Sequence, residues 1–277
     1  MEKKKLRNLI AYTFLTVISA TYASANTSLG LSSNSKEPVV ITADKSLEWH
    51  RNDLRFIAKK NALAKQGASS VAADQLTALY RKGQTSSMEI YNLKAQGSVV
   101  LTSDVNKAYG DYADYDLDKG LAIMTGKNLR MVSPDQTVTA KERFEYWDTE
   151  GRLNAIGEAT IIRPKPNKSG TDTLSAHKIT ALLKENAQGK RVLHIAEAFD
   201  NVVIITPTET VTGNYGIYRA DINKAEIKGN VVIKRGPNTL QGERAEVDLN
   251  TNISKIFGKN GQENGRVRGV FYPGSKN

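Results

Sequence analysis

The sequence has no cysteine, and its 277 residues include only seven prolines and three histidines. The lack of cysteine excludes disulfides, thiolate metal sites and cysteine nucleophiles. It does not exclude an oxidising compartment, because a chain of this length can form a core without covalent cross-links. The histidines, His50, His177 and His194, are far apart and lack the spacing of a metal site.

Two short motifs suggest ligand sites but fail in detail. The acidic run Asp114–Gly120 has Lys119 and Thr125 where a calcium-binding loop needs glycine and glutamate. The glycine-rich run Gly258–Gly265 lacks the ending of a phosphate-binding loop. No catalytic constellation is found elsewhere, so we expect neither enzyme activity nor a metal or cofactor.

The first residues have the pattern of a secretory signal. Four basic residues among the first seven precede a mostly apolar stretch, Leu9–Ala20. Ala23–Ala25 then forms a small-residue cleavage site, so we expect a mature chain that begins near Asn26. An uncleaved membrane anchor is the alternative, although the stretch is short for a membrane span of about 20 residues. No later segment is apolar enough to span a membrane.

The formal net charge is +10, from 39 basic and 29 acidic residues. A surface of this sign favours anionic partners such as anionic lipids or phosphorylated glycolipids. The basic residues are scattered, and the longest basic run lies in the predicted signal. This distribution argues against a nucleic-acid-binding face.

One pattern occurs six times along the rest of the chain, at intervals of about 30 to 37 residues. A small or polar residue opens each copy, and apolar or small residues follow three, five and seven positions later. The opening positions are Ala73, Gly110, Lys141, Ala176, Gly213 and Gly242. The intervening residues are mostly polar, which is the alternation of a half-buried strand. A shorter apolar run precedes each copy, so the sequence predicts an all-β fold of stacked units of about three short strands.

The longest break in this pattern is Pro164–Thr173, and the repeat continues on both sides of it. We therefore predict one continuous domain over residues 38–273. A signal peptide (1–25) and a flexible leader (26–37) precede it, and a short tail (274–277) follows.

Four segments of the chain carry a resemblance to a known family: Pro38–Asp44, the region from Leu54 to Asp74, Gly110–Gly126 and Gly265–Pro273. They resemble the OstA/LptA family of lipopolysaccharide-transport proteins. The resemblance implies an open, V-shaped β-jellyroll of mostly antiparallel strands with a hydrophobic interior that accepts the acyl chains of lipopolysaccharide. It also implies strand pairing with LptC-like and LptD-like proteins and between copies of the chain.

The alternation of apolar and polar residues and this resemblance together suggest which side chains line the interior groove. The predicted lipid-binding residues are Val39, Ile41, Phe56, Val99, Leu101, Tyr115, Leu117, Phe144, Tyr146 and Tyr218. Alternating apolar residues also form ordinary strand cores, so the pattern alone does not establish lipid contact. The first strand, Val39–Thr42, and the last, Val267–Tyr272, are the expected free edges.

The predicted function is shielding of lipid A acyl chains in the periplasm of a Gram-negative envelope, as one link between inner and outer membrane components. Two alternatives remain open at this point. One is a membrane-anchored LptC-like component, which would keep its N-terminal segment. The other is a structural β-solenoid or adhesin with a dry interior. A polysaccharide-acting enzyme is disfavoured because the carboxylates alternate along outward faces instead of clustering.

Overall fold

The computed structural model describes residues 37–83, 88–165, 170–187, 191–248, 250–251, 253–259 and 265–273. The predicted signal, the leader up to residue 36 and the tail lie outside these residues. Within them the fold is all-β, with 18 strands and no helix. No helix that could cross a membrane is therefore found in the described part of the chain.

The strands fall into short and long classes. Eight short strands contain three to five residues: β1 (Val40–Thr42), β2 (Ser46–His50), β7 (Leu121–Thr125), β8 (Arg130–Val132), β9 (Thr137–Thr139), β10 (Arg143–Trp147), β17 (Ile253–Phe257) and β18 (Arg268–Val270). The ten long strands are β3 (Arg55–Gln66), β4 (Ser69–Arg81), β5 (Glu89–Ser103), β6 (Asn106–Asp116), β11 (Arg152–Pro164), β12 (Thr171–Glu185), β13 (Arg191–Ile205), β14 (Thr210–Arg219), β15 (Lys224–Arg235) and β16 (Asn238–Asp248).

All the strand pairs are antiparallel, and together they form two layers. Layer A consists of β2, β7, β10 and β17 with one half of each long strand. Layer B consists of β1, β8, β9 and β18 with the other half of each long strand. Each long strand therefore runs from one layer into the other, and the two layers meet along a corner. At the two ends of the stack, β1 and β2 form one edge and β17 and β18 form the other.

The corner is a line of β-bulges. The register of β5 and β6 shifts between Gln96 and Val99, and that of β15 and β16 between Lys228 and Val231. Such bulges bend a strand and re-aim its side chains. Gly97 and other residues at these bulges have positive φ, which glycine adopts without strain. The apolar runs that the sequence separates as short strands are thus joined at the corner into long bent strands.

The glycines that open several repeat copies lie just inside this corner. Gly110 pairs with Val99, and Gly213 pairs with Val202, so a small residue faces a larger one. A Cβ atom on Gly213 would lie 2.6 Å from Cγ1 of Ile227. The repeat therefore opens on a small residue because the neighbouring strand packs directly against it.

Side chains on the inward faces of both layers form one apolar core. A single cluster of buried residues includes Ala95, Phe144 and Ile179 from layer A and Leu174 and Ile204 from layer B. The predicted all-β, open β-jellyroll of antiparallel strands is confirmed. Strand pairing continues from the first edge to the last, and the division into domains stays a prediction.

Candidate functional site

An apolar groove lies between the two layers in the first half of the chain. In layer B, register places Ile41, Ala64, Val71 and Leu101 side by side across four strands. In layer A, two such rows face them, because alternate residues of each strand point inward. The first row contains Leu47, Ala58, Leu76, Ala95, Ala113 and Met124, and the second contains Phe56, Ala78, Leu93, Tyr115, Ala122 and Tyr146.

The groove encloses a cavity of about 410 Å³. Its lining begins on the edge strands, at Val39, Ile41 and Leu47, and ends on β10 and β11, at Tyr146 and Leu153. The volume lies within the range of about 300–1,000 Å³ that is typical of small-molecule sites. Most lining side chains are aliphatic or aromatic, so the space suits an apolar ligand.

Eight of the ten predicted groove residues line this cavity: Val39, Ile41, Phe56, Leu101, Tyr115, Leu117, Phe144 and Tyr146. The other two lie elsewhere. Val99 is 1% exposed and fills the corner opposite Gly110. Tyr218 is buried in the second half of the molecule, and its hydroxyl donates a hydrogen bond to Oδ1 of Asn223 at 3.0 Å. Lipid contact itself stays a prediction for all ten.

Sequence reasoning missed the small residues that create the space. Seven alanines line the cavity: Ala58, Ala64, Ala78, Ala95, Ala108, Ala113 and Ala122. Each lies at an inward position of the alternating pattern, which is the signal that could have found them. What the pattern does not reveal is which residue each alanine meets on the neighbouring strand, as Ala95 meets Ala113, because this depends on register.

Aromatic side chains order the open end of the groove. The Phe56 ring lies 5.4 Å from the Trp49 ring and 5.2 Å from the Tyr80 ring, measured between centroids. The Trp49 indole Nε1 donates a hydrogen bond to the Tyr80 hydroxyl at 2.8 Å. These contacts fix the orientation of Phe56 against the cavity, at the edge formed by β1 and β2.

A polar cluster holds the inner end of the groove. The Arg191 guanidinium donates hydrogen bonds to the Tyr146 hydroxyl and, at 2.8 Å, to Oδ1 of Asp148. Burial raises the pKa of Tyr146 to about 12, against the opposing effect of Arg191. Burial, with a smaller contribution from Asp148, also raises the pKa of Tyr115. Both phenols are therefore neutral at physiological pH and present apolar rings to the cavity.

The last inward position of layer B is polar on the long strands from β3 to β16, whereas β1 places Val39 there. In the first half it holds uncharged residues such as Gln66 and Ser103, both buried. In the second half it holds charged ones. Asp172 is fully buried, and its carboxylate lies 2.7 Å from Nζ of Lys165. Burial raises the pKa of Glu209 to about 7, against the opposing charge of Arg235.

The interior of the second half is filled by large side chains. Leu174, Ile204, Ile227 and Val247 are each at most 2% exposed. The inward rows of the second half also hold small residues, such as Ala198 beside Gly216. The two halves thus share one framework but differ in how closely their interiors are packed.

The described residues contain no group of three or more His, Cys, Asp or Glu side chains that could hold a metal ion. The site is a trough lined mostly by apolar side chains, and it can sequester an apolar ligand. An open antiparallel β-jellyroll with such a trough is the class of protein that the fold and the site define.

A family model matches the sequence of the first half. Residues 40–151 match the model of the LptA/LptD N-terminal domain family of lipopolysaccharide (LPS) transport proteins. This segment contains β1 to β10, and hence nearly all of the groove. The groove-forming part of the chain is therefore similar to this family of transport proteins.

The comparison with solved structures includes LptH, the LptA-homologous periplasmic component of the lipopolysaccharide transport device of Pseudomonas aeruginosa. The two proteins are 11% identical over 86% of this chain and 96% of the LptH chain, with a TM-score of 0.21. No curated protein sequence matches the chain.

Proposed function

We propose that this chain is a periplasmic carrier that shields the acyl chains of lipid A in the groove between layers A and B. The observation that carries the proposal is the apolar cavity of about 410 Å³ inside a segment that matches the LptA/LptD N-terminal domain family. Exposure of each CH₂ group to water costs about 0.8 kcal/mol, so a glycolipid needs an apolar surface to cross an aqueous compartment.

The polar rim of the groove supports a binding mode in which the acyl chains of the glycolipid lie inside the groove and its sugar lies outside. Acyl chains contact the alanine, leucine and phenylalanine side chains of the interior. The polar position along the layer B rim, represented by Gln66 and Ser103, lies where the chains would give way to the sugar. Hydrogen-bonding groups at this height keep the sugar and its phosphates on the wet side.

The two edges of the stack support assembly by strand pairing, with LptC-like and LptD-like proteins or with further copies of the chain. Unpaired edge strands normally carry protective charges unless pairing is their purpose. Here they carry exposed apolar side chains: Val40, Leu47 and Trp49 at one edge and Ile253, Phe271 and Tyr272 at the other. Together these edges fit a bridge between inner and outer membrane components.

The test is photo-crosslinking with a photoreactive amino acid at Tyr115, which lines the cavity. The matched control carries the same probe at Asp116, the next residue, whose carboxylate instead bonds outward to Nζ of Lys119 at 2.7 Å. We expect adducts with lipopolysaccharide at position 115 and none at 116. No adduct at 115, nor at Ile41 or Leu101, would overturn the proposal in favour of a dry structural solenoid.

A further inference from the structure

The outer face of layer B carries charge of one sign. It consists of two rows of outward-pointing residues that strand register carries across the whole layer, from Val40 and Thr42 on β1 to Arg268 and Val270 on β18. Every charged residue in these two rows is basic. The basic residues are Lys65, Lys107, Arg130, Lys234 and Arg268.

The outer face of layer A differs, because it carries both signs and pairs them. Nζ of Lys59 lies 2.9 Å from Oε1 of Glu48, and Nε of Arg143 lies 2.7 Å from Oε1 of Glu145. Among the described residues, none of the five basic side chains on the outer face of layer B takes part in an ion pair. Their charge is therefore uncompensated on this face and attracts an anionic partner.

The uncharged positions of the same face hold mostly threonine, serine and aliphatic side chains. Near the basic residues of the first half they include Ser70, Thr102 and Thr137. A hydroxyl group both donates and accepts hydrogen bonds, and lysine and arginine donate charge-assisted ones to phosphate oxygens. The face therefore suits a ligand that carries phosphate groups among many hydroxyl groups, which is the chemistry of a phosphorylated sugar.

Three of the basic residues lie directly behind the cavity. Lys65, Lys107 and Arg130 are on β3, β6 and β8, and each of them is next in sequence to a residue that lines the cavity. Lys65 also adjoins Gln66 of the polar rim. The Arg130 guanidinium lies 4.1 Å from the centroid of the Tyr109 ring, which holds it against the face. The basic face and the apolar cavity thus lie on opposite sides of the same strands and meet at the rim.

We infer that the outer face of layer B, beside the cavity, binds the phosphate-bearing sugars of the glycolipid through Lys65, Lys107 and Arg130. This inference rests on the proposed function and deepens it, because it assigns a site to the part of the ligand that the groove excludes. The acyl chains occupy the cavity, and the sugar leaves it over the layer B rim and turns onto the outer face. Its phosphates there meet the uncompensated cations.

An anionic membrane surface would match the charge of this face but not its shape. Neighbouring strands of a sheet are rotated by about 20–25° relative to one another, so the outer face winds along the stack. A flat bilayer can contact only part of such a face. A sugar headgroup needs only the strands from β3 to β8, which lie next to the cavity that holds its acyl chains.

The test measures binding of lipopolysaccharide from which all acyl chains have been removed and the phosphates kept. Isothermal titration calorimetry at low ionic strength compares the mature protein with the triple variant Lys65→Gln, Lys107→Gln and Arg130→Gln. We expect the variant to bind this ligand at least about tenfold more weakly, because three charge-assisted contacts are lost. Added salt should weaken binding by the parent, because it screens exposed charges.

The matched control removes the same net charge from the outer face of layer A, as Lys59→Gln, Lys228→Gln and Lys255→Gln. We expect its affinity for the deacylated ligand to lie within about twofold of the parent value. Removal of the phosphates from the ligand should abolish the difference between the two triple variants. Thermal unfolding checks that both are folded.

The failures of the two proposals differ. Displacement of a fluorescent fatty acid by intact lipopolysaccharide reports on the groove separately. If this displacement occurs but the two triple variants bind the deacylated ligand equally, or the parent does not bind it, the outer-face site is overturned and the proposed function stands. If the parent shows no displacement, both are overturned. Binding to phosphatidylglycerol vesicles without binding to the deacylated ligand would assign the face to a membrane surface and overturn the inference.

Discussion

The first half of the molecule, from β1 to β10, and the second half, from β11 to β18, are built from bent strands of the same kind. Their interiors nevertheless differ in packing. The first half encloses a cavity lined by Phe56, Leu101 and Tyr115, whereas Ile204 and Ile227 in the interior of the second half are each 1% exposed. A cavity forfeits dispersion contacts and lowers stability. The difference teaches that one framework of paired strands can hold either a cavity or a closely packed core.

The largest expected effect separates the halves by stability. Ile204→Ala removes a fully buried side chain and leaves an enclosed void, so we expect a loss of about 2–5 kcal/mol in the free energy of unfolding. Leu101→Ala lies in the same inward row but borders existing space, so we expect about 1–2 kcal/mol. Urea unfolding of both variants measures the difference.

Leu63→Ala provides the control for this pair, because Leu63 is 37% exposed and lies one residue from the inward row. We expect a change within about 0.5 kcal/mol. Equal losses for Ile204→Ala and Leu101→Ala would contradict the contrast between a packed and a hollow interior.

A smaller effect tests a buried charge on the layer B rim of the second half. Glu209 is buried, and its Oε2 has no hydrogen-bond partner among the described residues. Its pKa is raised from 4.5 to about 7 in the folded state. Between these values the unfolded chain releases a proton that the folded protein keeps, so this group lowers stability as pH rises.

We therefore expect Glu209→Gln to stabilise the protein relative to the parent as pH rises from 4.5 to about 7, by up to about 3 kcal/mol. Below pH 4.5 the two proteins should differ little, because both states of the parent are then protonated. Urea unfolding across this pH range gives the result. A difference that stays constant with pH would show that Glu209 does not titrate in this way.

Much of the fold could be predicted because apolar and polar residues alternate along each strand. The period of two in segments such as Gly110–Leu117 fixes strands, and their recurrence predicts a stack. The corner could not be predicted in the same way. The runs before and after Gly97 look like separate strands, since a bulge with positive φ interrupts the alternation while the backbone continues.

The sequence predicts most of the residues that line the cavity, but it does not predict where along the stack the cavity ends. Alternation places Tyr115 and Leu101 inward, and both line the cavity. It places Tyr218 inward as well, but whether an inward residue meets space or packing depends on its neighbours across the sheet. Register and the opposing layer set those neighbours, and neither can be read from one strand.

The central claim is that the apolar space in the first half binds acyl chains. Its most direct test is a comparison of lipid A binding by two variants with substitutions at adjacent positions of β5. Leu101→Asp places a carboxylate in the cavity, whereas Val100→Asp places it on the outer face of the same strand. An unpaired charge in an apolar site carries a large desolvation cost. Displacement of a fluorescent fatty acid by lipid A measures both affinities, with thermal unfolding as the check on folding. We predict that Leu101→Asp weakens binding at least about tenfold and that Val100→Asp changes it less than about twofold; equal affinities in the two folded variants would contradict the claim.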